Sequence, residues 1–144
     1  MGELRALAII PVMPFPLPPD APPRPLTRFA PAPTGYLHLG HVASAVWVWG
    51  VARALGGRVL LRVEDHDRGR SRPAYEQALF EDLEWLGLVP DLGHPAKYRA
   101  GRCEYRQSDR GAEYERELAR LAGEGLVYAC DCSRRRLQES AADL

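Results

Sequence analysis

The stretch Leu26–Glu64, LTRFAPAPTGYLHLGHVASAVWVWGVARALGGRVLLRVE, changes character several times along its length. Leu26–Ala30 reads as a short strand, and Pro31–Tyr36, with its prolines and Gly35, as a loop. From Leu39 to Leu55 the chain is apolar nearly all round, which predicts a buried helix with Gly56 and Gly57 as its stop. Arg58–Glu64, RVLLRVE, is rich in valine and leucine and reads as a second strand that ends in an acid. Strand, loop, helix and strand in this order form a βαβ unit, so the two strands are expected to be parallel neighbours joined by a crossover.

Working outward, Pro73–Leu86 places a proline early in a helix whose Tyr75, Leu79, Leu83 and Leu86 share a face, with Gly87 behind it. Residues 88–106 show no regular pattern and read as irregular chain. Ser108 is the expected N-cap of a further helix, in which Tyr114, Leu118 and Leu121 share a face and Gly125 is the stop. Leu126–Ala129, LVYA, reads as a strand leading into CDCSRRR. Towards the N-terminus, eight of the fifteen residues from Pro11 to Pro25 are proline, so residues 1–26 are expected to form a loose Pro-rich tail. The class is α/β, with residues 27–144 as its folded part.

Composition excludes several functions. The chain has 144 residues and 46% hydrophobic content, enough for one modest core. Net charge is zero, so charge balance argues neither for nor against nucleic acid. Of 19 basic residues only Lys97 is lysine; arginine suits forked contacts to carboxylate and phosphate, and an Arg- and Ala-rich chain is also what a GC-rich genome encodes. Three cysteines, with Cys130 and Cys132 too close to favour a mutual structural disulfide, point to a reducing cytoplasm. Prolines break the apolar run near the N-terminus, and no run of 18 apolar residues exists to span a membrane.

The loop between the first strand and its helix is the candidate site. In an open α/β sheet ligands bind beyond the carboxyl ends of the strands, where a helix N-terminus offers free N–H groups. Pro31 and Pro33 stiffen the loop, and Gly35 and Gly40 allow close backbone approach. His38 and His41, three residues apart, share one face of the helix start. Two imidazoles at a helix N-terminus suit a phosphate that gains charge during reaction. The loop is not the G-x-x-x-x-G-K-[ST] phosphate loop, which is absent. A zinc site built on His38 and His41 would need two further converging ligands.

TRFAPAPTGYLHLGH, followed by LRVEDHD (Leu61–Asp67), resembles the class I glutamyl-tRNA synthetase family, whose pattern runs R-F-A-P-S-P-T-G-x-L-H-x-G-H and then L-R-I-E-D-T-D. The likeness continues through DLEWLGL (Asp82–Leu88), YRQSDR (Tyr105–Arg110) and GLVYACDCSRRRL (Gly125–Leu137), and so covers about residues 27–137. Within the family, C-x-C followed by arginines is most similar to the glutamyl-Q branch, the shortened paralogues that glutamylate queuosine in the anticodon of tRNA(Asp). Glutamyl-tRNA synthetases that charge tRNA(Glu) are the alternative, and a non-catalytic nucleotide- or RNA-binding remnant is a third reading.

The resemblance implies a Rossmann-like (HUP) parallel sheet, here reaching only through its first half, and a ligase that activates L-glutamate with ATP and Mg2+ before transfer to tRNA. A cytoplasmic monomer without membrane partners is expected. Arg28, Phe29, Ala30, Pro31 and Ala32 would form the glutamate-binding segment, with Arg28 forking onto a carboxylate and Glu64 pairing with the substrate ammonium. Ala32 stands where the family has serine, which removes a hydroxyl contact. His38, Gly40 and His41 would bind ATP, the histidines stabilising the transition state at the α-phosphate. Cys130 and Cys132 would be half of a Zn2+ site near residues 130–144, whose later Tyr and Cys ligands are not in this sequence. The family's lysine loop and the later Tyr and Arg of the glutamate pocket lie beyond residue 144. The 144-residue chain alone is therefore expected not to form adenylate and to hold zinc weakly.

Overall fold

The computed structural model describes residues 24–133 together with Arg135, Arg136 and Gln138. The expected tail at residues 1–26 falls outside this range except for Arg24, Pro25 and Leu26, and so does most of the segment after Ser133. The described chain divides into two compact units between Arg110 and Gly111.

In the first unit, β1 (Leu26–Phe29) and β2 (Arg58–Leu61) pair in parallel, with Leu26 opposite Arg58 and Phe29 opposite Leu61, and α1 (Leu39–Ala54) connects them. The βαβ expectation holds in order and direction. β2 is shorter than the RVLLRVE stretch, but its extended line continues: Arg62 N–H donates to Phe29 O and Glu64 N–H to Pro31 O. Gly57 is required where the strands begin, because a Cβ there would lie 2.2 Å from Pro25 O.

α1 differs from its expected all-round burial. Ala45, Trp49 and Ala52, at helical spacing, are buried, while Val46 and Trp47 stay 41% and 45% exposed. A helix lying against a two-stranded sheet has only one face to cover. Trp49 meets Phe29 edge-on at a centroid separation of 5.7 Å and donates its indole N–H to Val89 O at 3.0 Å.

α2 (Pro73–Trp85) contributes Leu79, Phe80 and Leu83 to the same core as Phe29, Val59, Leu61 and Val63. The stretch 88–106 is more ordered than the sequence suggests. It contains α3 (Pro95–Arg99), which buries Tyr98, and two short pairings with β2 and its extension, Leu60 with Leu92 and Val63 with Arg106. Asp91 also accepts Val59 N–H through its side chain at 2.7 Å. Each piece is too short to show a period. Cys103 is buried in this core, a packing thiol.

The second unit contains α4 (Gly111–Gly123), a helix with no buried residue, on which Arg120 pairs with Glu117 and Glu124. Gly125, at φ 71°, ends it as expected. The expected strand Leu126–Ala129 does not form, and Leu126 and Tyr128 are exposed. An extended segment needs a neighbouring strand for its N–H and C=O groups, and the described residues of this unit include none.

Candidate functional site

Alternation along the paired strands sorts the expected glutamate-binding segment into two sets. Phe29 and Pro31 are buried on the core side. Their carbonyl oxygens accept Arg62 N–H and Glu64 N–H. Arg28 shares the opposite face with Leu60 in the paired strands, and the continued bonding of Arg62 N–H to Phe29 O and Glu64 N–H to Pro31 O extends the alternation to Ala30, Ala32, Arg62 and Glu64. Arg28 and Ala32 are exposed and Glu64 is partly exposed. An arginine and a glutamate thus stand on one open face at the carboxyl ends of parallel strands. Phe29 and Pro31 take part as backbone, and their side chains do not line that face.

The sequence reading passed over Arg62, although strand parity places it beside Glu64. Its Nε lies 3.6 Å from Glu64 Oε1. Asp65 and Asp67, the other acids of the LRVEDHD stretch, are engaged elsewhere. Asp65 accepts from Ser108 N–H at 2.8 Å and from Ser108 Oγ–H at 2.5 Å, and Asp67 pairs with Arg70 at 2.6 Å. Ser108 therefore does not cap α4: it lies in a short 3-10 turn (Gln107–Arg110), and α4 begins after that turn, at Gly111. A carboxylate 43 residues away in sequence takes the hydroxyl that local pattern assigned to the helix.

His38 and His41 form a reciprocal cap at the start of α1. His38 Nδ1 accepts Gly40 N–H at 3.1 Å, and His41 Nδ1 accepts His38 N–H at 3.3 Å. His41 and Val42 N–H groups both donate to His38 O. The free helix N–H groups expected here are thus largely satisfied within the turn. Because each Nδ1 accepts, each neutral ring carries its proton on Nε2. The donors this helix end presents to an anion are therefore the two Nε2–H groups, on rings whose centroids are 4.0 Å apart. Gly40 has a role in this arrangement, since a Cβ there would lie 3.0 Å from His38 Cε1 and crowd the capping ring.

Burial, and then the neighbouring His38, hold the His41 pKa below the ordinary histidine value. The folded state thus resists a proton that the unfolded chain accepts. The contribution of the neutral ring to stability is present above about pH 6.5 and declines as pH falls from there towards the depressed folded value. We expect ring-nitrogen NMR to show the neutral imidazoles as Nε2–H tautomers, with His41 titrating below an exposed histidine and the His38 amide shifting in step. An Nδ1–H tautomer at either ring would contradict the cap.

A cleft of about 600 Å3 lies in the same unit, lined among others by Asp65, Arg68, Glu76, Phe80, Arg106 and Ser108. None of Arg28, His38, His41 and Glu64 lines it. Cys130 is exposed and Cys132 partly exposed, and both are reduced. Among the described residues no group of three or more His, Cys, Asp or Glu side chains converges to hold a metal, so the two thiols do not fit a tetrahedral zinc site by themselves. No helix among the described residues is long and apolar enough to cross a membrane.

A parallel pair of strands with a histidine-capped helix at its carboxyl edge is the start of an open α/β domain, and comparison identifies its family. Residues 26–143 match the family described as tRNA synthetases class I (E and Q), catalytic domain, and the chain belongs to that family. It is 49% identical over 117 residues to the glutamyl-Q tRNA(Asp) synthetase of Rhodobacter capsulatus, covering 81% of this chain and 38% of that protein. It is likewise 49% identical over 107 residues to glutamate–tRNA ligase 2 of Acidithiobacillus ferrooxidans, covering 74% of this chain and 22% of the relative. Among solved structures, the glutamate tRNA ligase of Elizabethkingia meningosepticum in complex with its amino acid superposes with a TM-score of 0.60 at 33% identity, over 82% of this chain and 23% of that one. The chain thus spans well under half the length of these relatives.

Proposed function

We propose that these residues form the glutamate- and ATP-binding part of a ligase that converts L-glutamate to glutamyl-adenylate and passes the glutamyl group to tRNA. The observation that carries the reading is Arg28 and Glu64 on one open face at the strand ends, in the same βαβ unit as the histidine-capped start of α1. Arg28 forks onto a substrate carboxylate and Glu64 pairs with the ammonium. Ala30 and Ala32 shape the floor between them. A glutamate carboxylate oxygen attacks the ATP α-phosphorus, a C–O–P bond forms, and the bond to the leaving pyrophosphate breaks. The Nε2–H groups of His38 and His41 stabilise the charge that grows on the α-phosphate oxygens. Mg2+ accompanies ATP; Asp65 is bonded to Ser108 and Asp67 to Arg70, and neither is assigned to it.

The proposed acceptor is queuosine of tRNA(Asp). The supporting observations are the C-x-C–arginine segment and the similarity to a protein bearing the glutamyl-Q name over a larger share of its length than to the ligase quoted above. tRNA(Glu) is the second reading, supported by equal identity to that ligase. Cys130 and Cys132 are proposed as two of four zinc donors, the remainder coming from residues outside this sequence.

The test uses a protein of the relatives' length that contains this sequence. Glutamate is expected to support exchange of pyrophosphate into ATP better than glutamine or aspartate, and the glutamyl label is expected on queuosine-containing tRNA(Asp) in preference to tRNA(Glu). Exchange driven better by glutamine or aspartate would overturn the substrate assignment, and charging of tRNA(Glu) alone would overturn the acceptor. Glu64→Ala is expected to raise the glutamate KM at least tenfold with the ATP KM little changed, because a charge-assisted partner of the ammonium is removed.

A further inference from the structure

The segment YRQSDR (Tyr105–Arg110) makes none of the substrate contacts proposed above, yet it is fastened to the chain that carries Glu64. Val63 N–H donates to Tyr105 O at 3.1 Å, and Gln107 N–H donates to Val63 O at 2.9 Å. Two residues on, Asp65 takes both the N–H and the hydroxyl of Ser108, and His66 Nδ1 lies 3.0 Å from Gln107 Oε1. On the other side, Glu64 N–H donates to Pro31 O at 3.1 Å.

β2 itself ends at Leu61, three residues before Glu64; beyond it the chain is held on one side by the Glu64 bond to Pro31 O and on the other by the ties of Val63 and Asp65 to residues 105–108. Extended chain turns alternate side chains to opposite faces. Val63 and Asp65 turn one way, and Glu64 between them turns the other. Fastening Val63 and Asp65 to residues 105–108 therefore sets the direction in which Glu64 points.

We infer that Ser108, acting through Asp65, is a positioning residue for glutamate recognition: the Ser108–Asp65 pair holds residues 63–66 so that the Glu64 carboxylate stands on the open face with Arg28. Both bonds to Asp65 are made to a charged acceptor, which favours one geometry over its neighbours. The Ser108 bonds are made to the segment that carries Glu64 and not to His38 or His41, so its loss should move substrate recognition before it moves the ATP side of the site. The inference rests on the role proposed for Glu64.

The experiment measures pyrophosphate exchange, against glutamate and against ATP, in a protein of the relatives' length containing this sequence. The variants are Ser108→Ala, Ser108→Thr, Asp65→Asn, Glu64→Gln and the double variant Glu64→Gln/Ser108→Ala. Ser108→Ala and Asp65→Asn are expected to raise the glutamate KM roughly 10- to 100-fold, the scale of a small misplacement of a binding group, with the ATP KM little changed. Ser108→Thr keeps the hydroxyl and is expected to restore most of the loss. In the Glu64→Gln background, Ser108→Ala is expected to add little, because the group it positions has already lost its charge.

Glutamate and ATP KM values rising together, or a full Ser108→Ala effect persisting in the Glu64→Gln background, would overturn the inference and leave Ser108 a general structural tie. Glu64→Gln alone with an unchanged glutamate KM would overturn the Glu64 role itself, and this outcome is separate from the other two.

Discussion

His41→Ala is expected to slow glutamate-dependent pyrophosphate exchange by about 10- to 1,000-fold, the range for losing one donor to a developing oxyanion. Two losses combine. The Nε2–H proposed to meet the α-phosphate disappears, and so does the Nδ1 acceptor of His38 N–H. His38 then loses part of the arrangement that orients its own ring. Single-turnover adenylate formation, followed separately from glutamate and ATP binding, checks this: the rate of the chemical step should fall while both dissociation constants move little. His41→Asn separates the contributions, since an amide oxygen can accept from His38 N–H without reproducing the imidazole N–H at the phosphate. If His41→Asn is as active as the unaltered protein, the cap is what matters and the transition-state role falls.

The arrangement of the two histidines was only half legible in the sequence. Spacing put His38 and His41 on one face at a helix start, but spacing cannot say which ring nitrogen is occupied. The reciprocal bonds to Gly40 and His38 N–H groups answer that. They also change the chemistry expected of the helix end, because imidazole N–H groups stand where backbone N–H groups were expected.

The βαβ unit was legible because two apolar strands and a long helix each carry a strong local signal. Where the reading failed, a distant partner or the lack of one decided the outcome. Ser108 has the local signature of an N-cap, but Asp65 offers it a charged acceptor. LVYA has strand composition, yet no strand among the described residues of its unit pairs with it. The segments at Leu92 and Arg106 have little strand character of their own, and the edge of β2 and its extension organises them. For Phe29 and Pro31, read as part of the glutamate-binding segment, the motif does not say which face a side chain takes, and strand alternation turns both side chains into the core.

Gly93→Ala is expected to destabilise the first unit by about 3 kcal/mol, the largest single-residue effect on stability anticipated outside the core side chains. Gly93 sits at φ 71°, in the left-handed region, where any Cβ carries strain. Here the Cβ would also lie 2.2 Å from Leu61 O and 3.1 Å from Tyr98 Oη. Those two atoms already share a buried hydrogen bond of 2.7 Å, in which the Tyr98 hydroxyl donates to the Leu61 carbonyl. The added methyl group would force apart the last residue of β2 and the helix that covers it. Gly87 supplies the control, since it also has positive φ, 67°, but a Cβ there would meet nothing within 4 Å. Gly87→Ala should therefore cost only the backbone strain, about 1 kcal/mol. Urea denaturation of both variants, compared at equal m-value, measures the difference directly. A gap of about 2 kcal/mol supports the close approach at Leu61, and equal losses at the two glycines would show that the chain around residue 93 relaxes without disturbing β2. Because Leu61 leads directly into Arg62–Glu64, the same substitution should also raise the glutamate KM in a protein of the relatives' length, whereas Gly87→Ala should leave it unchanged.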